Sequence, residues 1–314
     1  MNVWVGPVGG KDFEPVTNDE KRGIRFYSWA EDGRHLVYLQ DRDGDENWRL
    51  YAVELGSATR STRNLTPFDG VQARLLKKSK RFPEEVLVEL NRRDPRLHDV
   101  HRLNLMTGEL ELVAQNPGNI AGWVADENLA VRAALAATPE GGFDLLFRER
   151  EDANWRELLS WGREDALNSG PVGFSGDGAR MFLRDSREAN AARLVELDLS
   201  TEEANVLAED PKYDIASVLV HPDTREVQAV AFTRARTEWT VLDEDIRHDF
   251  AAINELHPGD FAIVSRDRAD EEWLVGFTVD DGPVSYYAYD RKTCDGTHLF
   301  DDRPDLKRYT LSSM

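Results

Sequence analysis

One cysteine, Cys294, stands in 314 residues. That excludes an intramolecular disulfide and a cysteine-based zinc site, and it fits a reducing compartment such as the cytoplasm. Long apolar runs are missing too. None approaches the roughly 18 residues of a membrane span, and the N-terminus lacks a signal peptide's basic and apolar regions. Positive charge is scarce: 39 Lys and Arg face 59 Asp and Glu, a net charge of −20. A phosphate backbone would be repelled, so nucleic acid is excluded as a partner, and the acidity reads as a solvated surface. No Pro/Gly/Ser-rich linker interrupts the chain. One domain is therefore expected, although the length would allow two.

What is present is a repeat. Residues 25–66 hold apolar runs at Phe26–Trp29, Leu36–Leu39 and Leu50–Leu55, with a short run at Asn64–Thr66. Each has strand length and is rich in aromatic and β-branched residues. Glu31-Asp32-Gly33-Arg34 suits a tight hairpin, because Gly tolerates positive φ. The unit reads as a four-stranded antiparallel meander that must stack on others to bury its faces. Trp29-x-x-Asp32-Gly33 returns as Phe174-x-x-Asp177-Gly178 and, more loosely, as Trp123-x-x-Asp126. Val53-Glu54-Leu55 returns as Leu103-Asn104-Leu105, Leu197-Asp198-Leu199 and Tyr289-Asp290-Arg291. The offsets are multiples of roughly 45–50 residues, the period of propeller blades.

The fold class expected is all-β, a β-propeller of four-stranded antiparallel blades. Residues 1–17 supply only a third and a fourth strand, so the first blade is incomplete and the chain reads as part of something longer. Full blades follow at about 25–66, 71–115, 119–163, 168–209, in the stretch after 209, and at 259–304. Ala-rich 129–137 falls in a strand position of the period. Ile246, Phe250, Ile253 and His257 lie at helical spacing behind Asp243 and Asp245, which predicts an amphipathic helix with acid at its N-terminal end. Six full blades and a partial one imply seven in the intact ring. Residues 1–305 form the propeller domain, and 306–314 read as the start of a linker.

Candidate chemistry is sparse. Gly173-Phe174-Ser175-Gly176-Asp177-Gly178 invites comparison with a G-x-S-x-G nucleophile elbow, but Asp177 stands where the second glycine is required and no helix pattern follows. Ser175 is thus a hairpin residue, and its replacement by alanine is expected to be nearly neutral. Asp41–Asn47 resembles a calcium loop yet lacks the glycine and glutamate at the defining positions, which are Glu46 and Ala52. The histidines are scattered over different blades, and His98 and His101 fall on opposite faces of one strand. No catalytic residue, metal site or cofactor is expected.

The wording between the turns carries a resemblance. Val3-Trp4-Val5 through Pro15-Val16-Thr17, Gln40 to Trp48, Asn91 to Arg96, His98-Asp99-Val100 with Thr107-Gly108-Glu109, Ala121 to Asp126, Asp185-Ser186-Arg187 and Tyr289-Asp290-Arg291 share an order and a spacing. Together they resemble the N-terminal β-propeller of prolyl oligopeptidase-family serine peptidases, in the acylaminoacyl/dipeptidyl-peptidase branch. The resemblance implies a propeller ahead of an α/β-hydrolase domain that carries Ser, Asp and His. Leu311–Met314 lies about where that domain would begin, and no triad position exists in this chain. The function implied is non-catalytic: gating, and docking on the hydrolase domain of a cytosolic peptidase. A stand-alone propeller binding a protein or peptide is the alternative.

The links between second and third strands emerge on one side of such a ring. They are Asp41–Trp48, Arg92–His98, Pro139–Gly142, Asp185–Ala191, Arg234–Thr237 and Asp280–Pro283. They bring Arg42, Arg92, Arg93, Arg96, Arg187, Arg234 and Arg236, with Asp43, Glu46 and Asn47, to a face expected to meet the hydrolase domain and peptide substrate. Arginines can hold carboxylates in two-pronged hydrogen bonds, and Glu46 a peptide amine.

Overall fold

A computed structural model describes residues 1–56 and 61–312. Its described strands form seven antiparallel sheets. In the first complete sheet, Phe26–Trp29, His35–Gln40, Arg49–Glu54 and Thr62–Asn64 pair in chain order. Four-stranded sheets recur over residues 73–114, 120–161, 170–208 and 260–301. The two short strands Trp4–Val5 and Glu14–Pro15 pair with each other, as expected from the sequence. Ala-rich Val131–Ala137 is a strand. Its small side chains suit a sheet covered on both faces.

The alternation of each central strand explains the stacking. Along Glu85–Asp94, Val86, Val88 and Leu90 join a core with Val37, Leu50 and Ala52 of the preceding sheet. Leu87, pointing the other way, joins Trp123, Val131 and Ala134 of the following one. Likewise Leu36 and Tyr38 pack toward Val3 and Val16, while Val37 serves the next core. Both faces are buried, which is why these strands read as continuous apolar runs. Each fully buried Leu or Val adds about 1.5–3 kcal/mol.

One sheet departs from the expected pattern. Ile215–Val220, Val227–Thr233 and Thr237–Val241 make a three-stranded sheet. Five sheets, not six, are therefore four-stranded among the described residues. A short 3-10 turn, Glu244–Ile246, and the helix Arg247–Leu256 follow in place of a fourth strand. The Asp243 carboxylate caps the turn by accepting from Asp245 N–H at 3.0 Å. Ile246, Phe250 and Ile253 are buried as their spacing predicts, whereas His257 lies one residue past the helix. Pro304–Arg308 is a 3-10 helix; Ser313 and Met314, at the end of the expected linker, lie outside the described residues.

The chain divides into two compact units, Met1–Val5 with Glu14–Leu207, and Gly6–Phe13 with the chain from Ala208 onward. Among the described residues no helix is long and apolar enough to cross a membrane.

Candidate functional site

In the first unit, the link between His35–Gln40 and Arg49–Glu54 is held from inside. The buried Asp41 carboxylate accepts from Glu46 N–H at 3.4 Å and faces Arg22 at 3.6 Å. Asp45 accepts from the N–H groups of Arg42 and Asn47 at 3.0 and 3.2 Å. Asp43 and Glu46 take φ of 54° and 55°. Left-handed backbone at non-glycine residues costs free energy, and such strain gathers at ligand-binding loops.

The next link is shorter than the sequence implies. Strand Glu85–Asp94 runs on until Asp94 pairs with Leu97, so Arg92 and Arg93 belong to the strand and only Pro95 and Arg96 turn. The two strands pair again at the polar tip, Asp94 with Leu97, past a register shift between Leu90 and Asp94.

Most of the candidate arginines are committed to carboxylates of their own chain. Arg93 grips Asp99 with two bonds of 2.9 Å and also donates to Asn116 O at 2.7 Å. Arg96 forks onto Asp94 at 3.1 and 2.9 Å, which holds that carboxyl down to about 2. Arg187 grips Asp185, with its closest bond at 2.8 Å. In the second unit Arg234 holds Asp210 and Glu238, and Arg236 holds Asp260 at 2.6 Å. Arg42 and Arg92 are exposed and have no acidic partner among the described residues; Arg92 lies 4.3 Å over the Phe68 ring. The arginines expected to be available for a peptide carboxylate thus reduce chiefly to these two, because each of the others sits within reach of a local Asp or Glu.

Three candidates converge. Glu46, Asn47 and Arg96 line a polar cleft of about 400 Å³ within the first unit, together with Arg74, Glu89 and His98. The remaining candidates do not line it. Arg74 and Glu89 are not marked in the sequence because each sits inside a strand, where alternation hides it among core residues; His98 is visible there as the end of a link and is set aside only as a metal ligand. The one available signal was Glu89, an acid interrupting the run Val86-Leu87-Val88-Glu89-Leu90. Burial pushes the Glu89 carboxyl up, with Arg74 acting against it. Burial, reinforced by Arg74, brings the His98 imidazole down to about 4, so it is neutral at physiological pH. Its Nε2 is buried without a hydrogen-bond partner, and its backbone carbonyl accepts from Trp123 Nε1 at 3.1 Å. The cleft offers carboxylates and guanidiniums a few side chains apart, an arrangement suited to a peptide's charged end. Ser175 is elsewhere and fully buried, its Oγ donating to Asp177 at 2.6 Å and accepting from Arg180 N–H at 3.0 Å.

Stacked four-stranded meanders of this kind define a β-propeller of the all-β class. No family model matches the chain. It is 35% identical over 308 residues to dipeptidyl aminopeptidase BIII of Pseudoxanthomonas mexicana, covering 98% of this chain and 44% of that protein. It is 26% identical over 311 residues to dipeptidyl peptidase family member 6 of Caenorhabditis elegans, covering 95% of this chain and 42% of that one. The chain therefore spans less than half the length of these curated relatives. Among solved structures, prolyl oligopeptidase B of Galerina marginata superimposes with a TM-score of 0.57 at 13% identity, over 89% of this chain and 41% of that one; that likeness bears on fold alone. The resemblance to the propellers of prolyl oligopeptidase-family peptidases, in the dipeptidyl-peptidase branch, holds, and the chain is related to dipeptidyl peptidases over nearly its whole length.

Proposed function

We propose that this chain is the N-terminal, non-catalytic propeller domain of a cytoplasmic prolyl oligopeptidase-family serine peptidase, with seven blades by parentage. It gates and docks onto an α/β-hydrolase domain to which residues 306–314 lead, and the parent protein hydrolyses peptides. The observation that carries this is the match of 98% of the chain to 44% of a dipeptidyl aminopeptidase: a propeller accounts for one part of such a protein, and the chemistry must lie in the other. The polar cleft supports a share in substrate binding. Glu46 and Glu89 are placed to take a peptide amine, while Arg42 and Arg92 are left to engage carboxylates of the hydrolase domain or of the peptide.

The test supplies a hydrolase domain from a dipeptidyl aminopeptidase relative in trans and measures complex formation. Arg42→Glu with Arg92→Glu is expected to weaken the complex, and more so at low salt. Arg34→Glu, on a hairpin between first and second strands, is expected to leave it unchanged. Equal losses from both would overturn the docking face, and no complex at all would overturn the domain assignment.

A further inference from the structure

The three-stranded sheet ends at its third strand, where five other sheets among the described residues carry a fourth. Strand Thr237–Val241 pairs with Val227–Thr233 on one side only. Its ladder phase follows from two flanking bonds: Leu242 N–H donates to Gln228 O at 2.8 Å, and Arg234 N–H to Arg236 O at 2.9 Å. Even-numbered residues 238 and 240 therefore turn their backbone groups inward, and 237, 239 and 241 turn theirs away. The Thr237 N–H is met by Asp260 at 2.9 Å. Those of Trp239 and Val241 have no partner among the described residues. A row of unpaired backbone donors and acceptors is a template for another strand.

There is room for one. A cleft of about 550 Å³, wholly within the second unit, runs along this strand, with Phe250, Ala251 and Asn254 of the helix on its far wall. Trp239 and Phe250 meet edge to face at 5.5 Å and give the floor an aromatic surface. The charged groups that line the cleft, with those paired to them, are Asp210, Glu238 and Asp260 against Arg234 and Arg236, three acids to two bases. The excess of acid favours a basic occupant. A second copy of this chain would bring the same excess, and a net charge of −20, against itself.

We propose that Thr237–Val241 is a strand-addition site that takes an extended segment of a partner protein as its fourth strand, apolar on the side facing Trp239 and Phe250 and basic on the other. Main-chain bonds to Trp239 and Val241 supply affinity, and the alternating side chains supply selectivity. The proposal is independent of the docking face argued above.

The probe is an acetylated, fluorescein-labelled decapeptide of alternating valine and lysine, titrated by anisotropy against the whole chain. Saturable binding is expected. Val241→Pro removes an outward N–H and spares the inward ladder, a placement sheets tolerate at edges; it is expected to weaken binding about ten-fold, the worth of one backbone hydrogen bond. N-methylation of alternate amides of the peptide is expected to do the same, and a valine–glutamate peptide is expected not to bind. Absence of saturable binding, equal binding by Val241→Pro or by the methylated peptide, or equal binding of the glutamate peptide would each overturn the proposal. So would dimerisation through this edge in preference to peptide capture. Where Val241→Pro fails to fold, amide exchange on the unaltered chain decides. The Trp239 and Val241 amides are expected to exchange fast alone and about ten-fold slower with peptide, and no slowing overturns the site.

Discussion

Residues 33 and 178 occupy matching hairpins and both take left-handed backbone, at φ of 67° and 70°. Their surroundings differ. A Cβ at Gly33 meets open space, whereas one at Gly178 lies 2.5 Å from Arg132 Nη1, the atom that donates to Gly178 O at 2.9 Å. Gly33→Val is expected to cost only the backbone strain, about 1–3 kcal/mol, and Gly178→Val more than that, compared by urea unfolding. Equal costs would show that Arg132 yields freely. At Ser175 the structure gives reason to expect more than the nearly neutral replacement read from the hairpin. The side chain is buried and bonds to both Asp177 and Arg180, so Ser175→Ala is expected to cost about 1–3 kcal/mol, the loss typical of a buried polar group's partners. His98 makes stability depend on pH. Its folded value, about 4, lies below the ordinary 6.5, so on acidification the unfolded chain takes up the proton first. The contribution is whole above pH 6.5 and is lost as pH falls from there to about 4. His98→Gln is expected to flatten the stability profile across that window, and an unchanged profile would contradict it.

At the scale of elements, the helix Arg247–Leu256 is tied down by charge as well as by apolar packing. Asp249 is fully buried and accepts from Tyr289 Oη and from Arg291 Nε, both at 3.0 Å. Arg291 also donates to Asp270 at 2.9 Å, and Trp273 Nε1 reaches the same carboxylate at 2.8 Å. Removing one member of a buried pair leaves the rest uncompensated. Asp249→Ala is therefore expected to destabilise by on the order of 3 kcal/mol, with fast amide exchange appearing first in this helix. A loss confined to a few tenths of that would show that Phe250 and Ile253 suffice. The helix itself was legible in its three- and four-residue spacing. Its anchoring was not, because Asp249, Asp270 and Arg291 are far apart in the chain and only packing brings them together.

For the whole molecule, purified chain is expected to show no turnover of dipeptide or acyl-amino-acid chromogenic substrates and no labelling by a fluorophosphonate probe. Stoichiometric labelling would overturn the non-catalytic assignment. Much of the architecture was determined by sequence alone. Strand positions follow from alternation and from hairpin residues such as Asp32-Gly33 and Asp177-Gly178, which act locally. The kinship with dipeptidyl peptidases was readable in the order of short motifs between those turns. The extension of Glu85–Asp94 through Arg92 and Arg93 was decided by pairing with Leu97–Asn104, a relation between segments that no local signal encodes. The same holds for the site. Glu46, Arg96 and His98 were visible because links are polar, but Arg74 and Glu89 were hidden in strands. Which arginines are spoken for, and which edge of which sheet is left open, depends on what lies across from each group in space, and only the tertiary structure decides that.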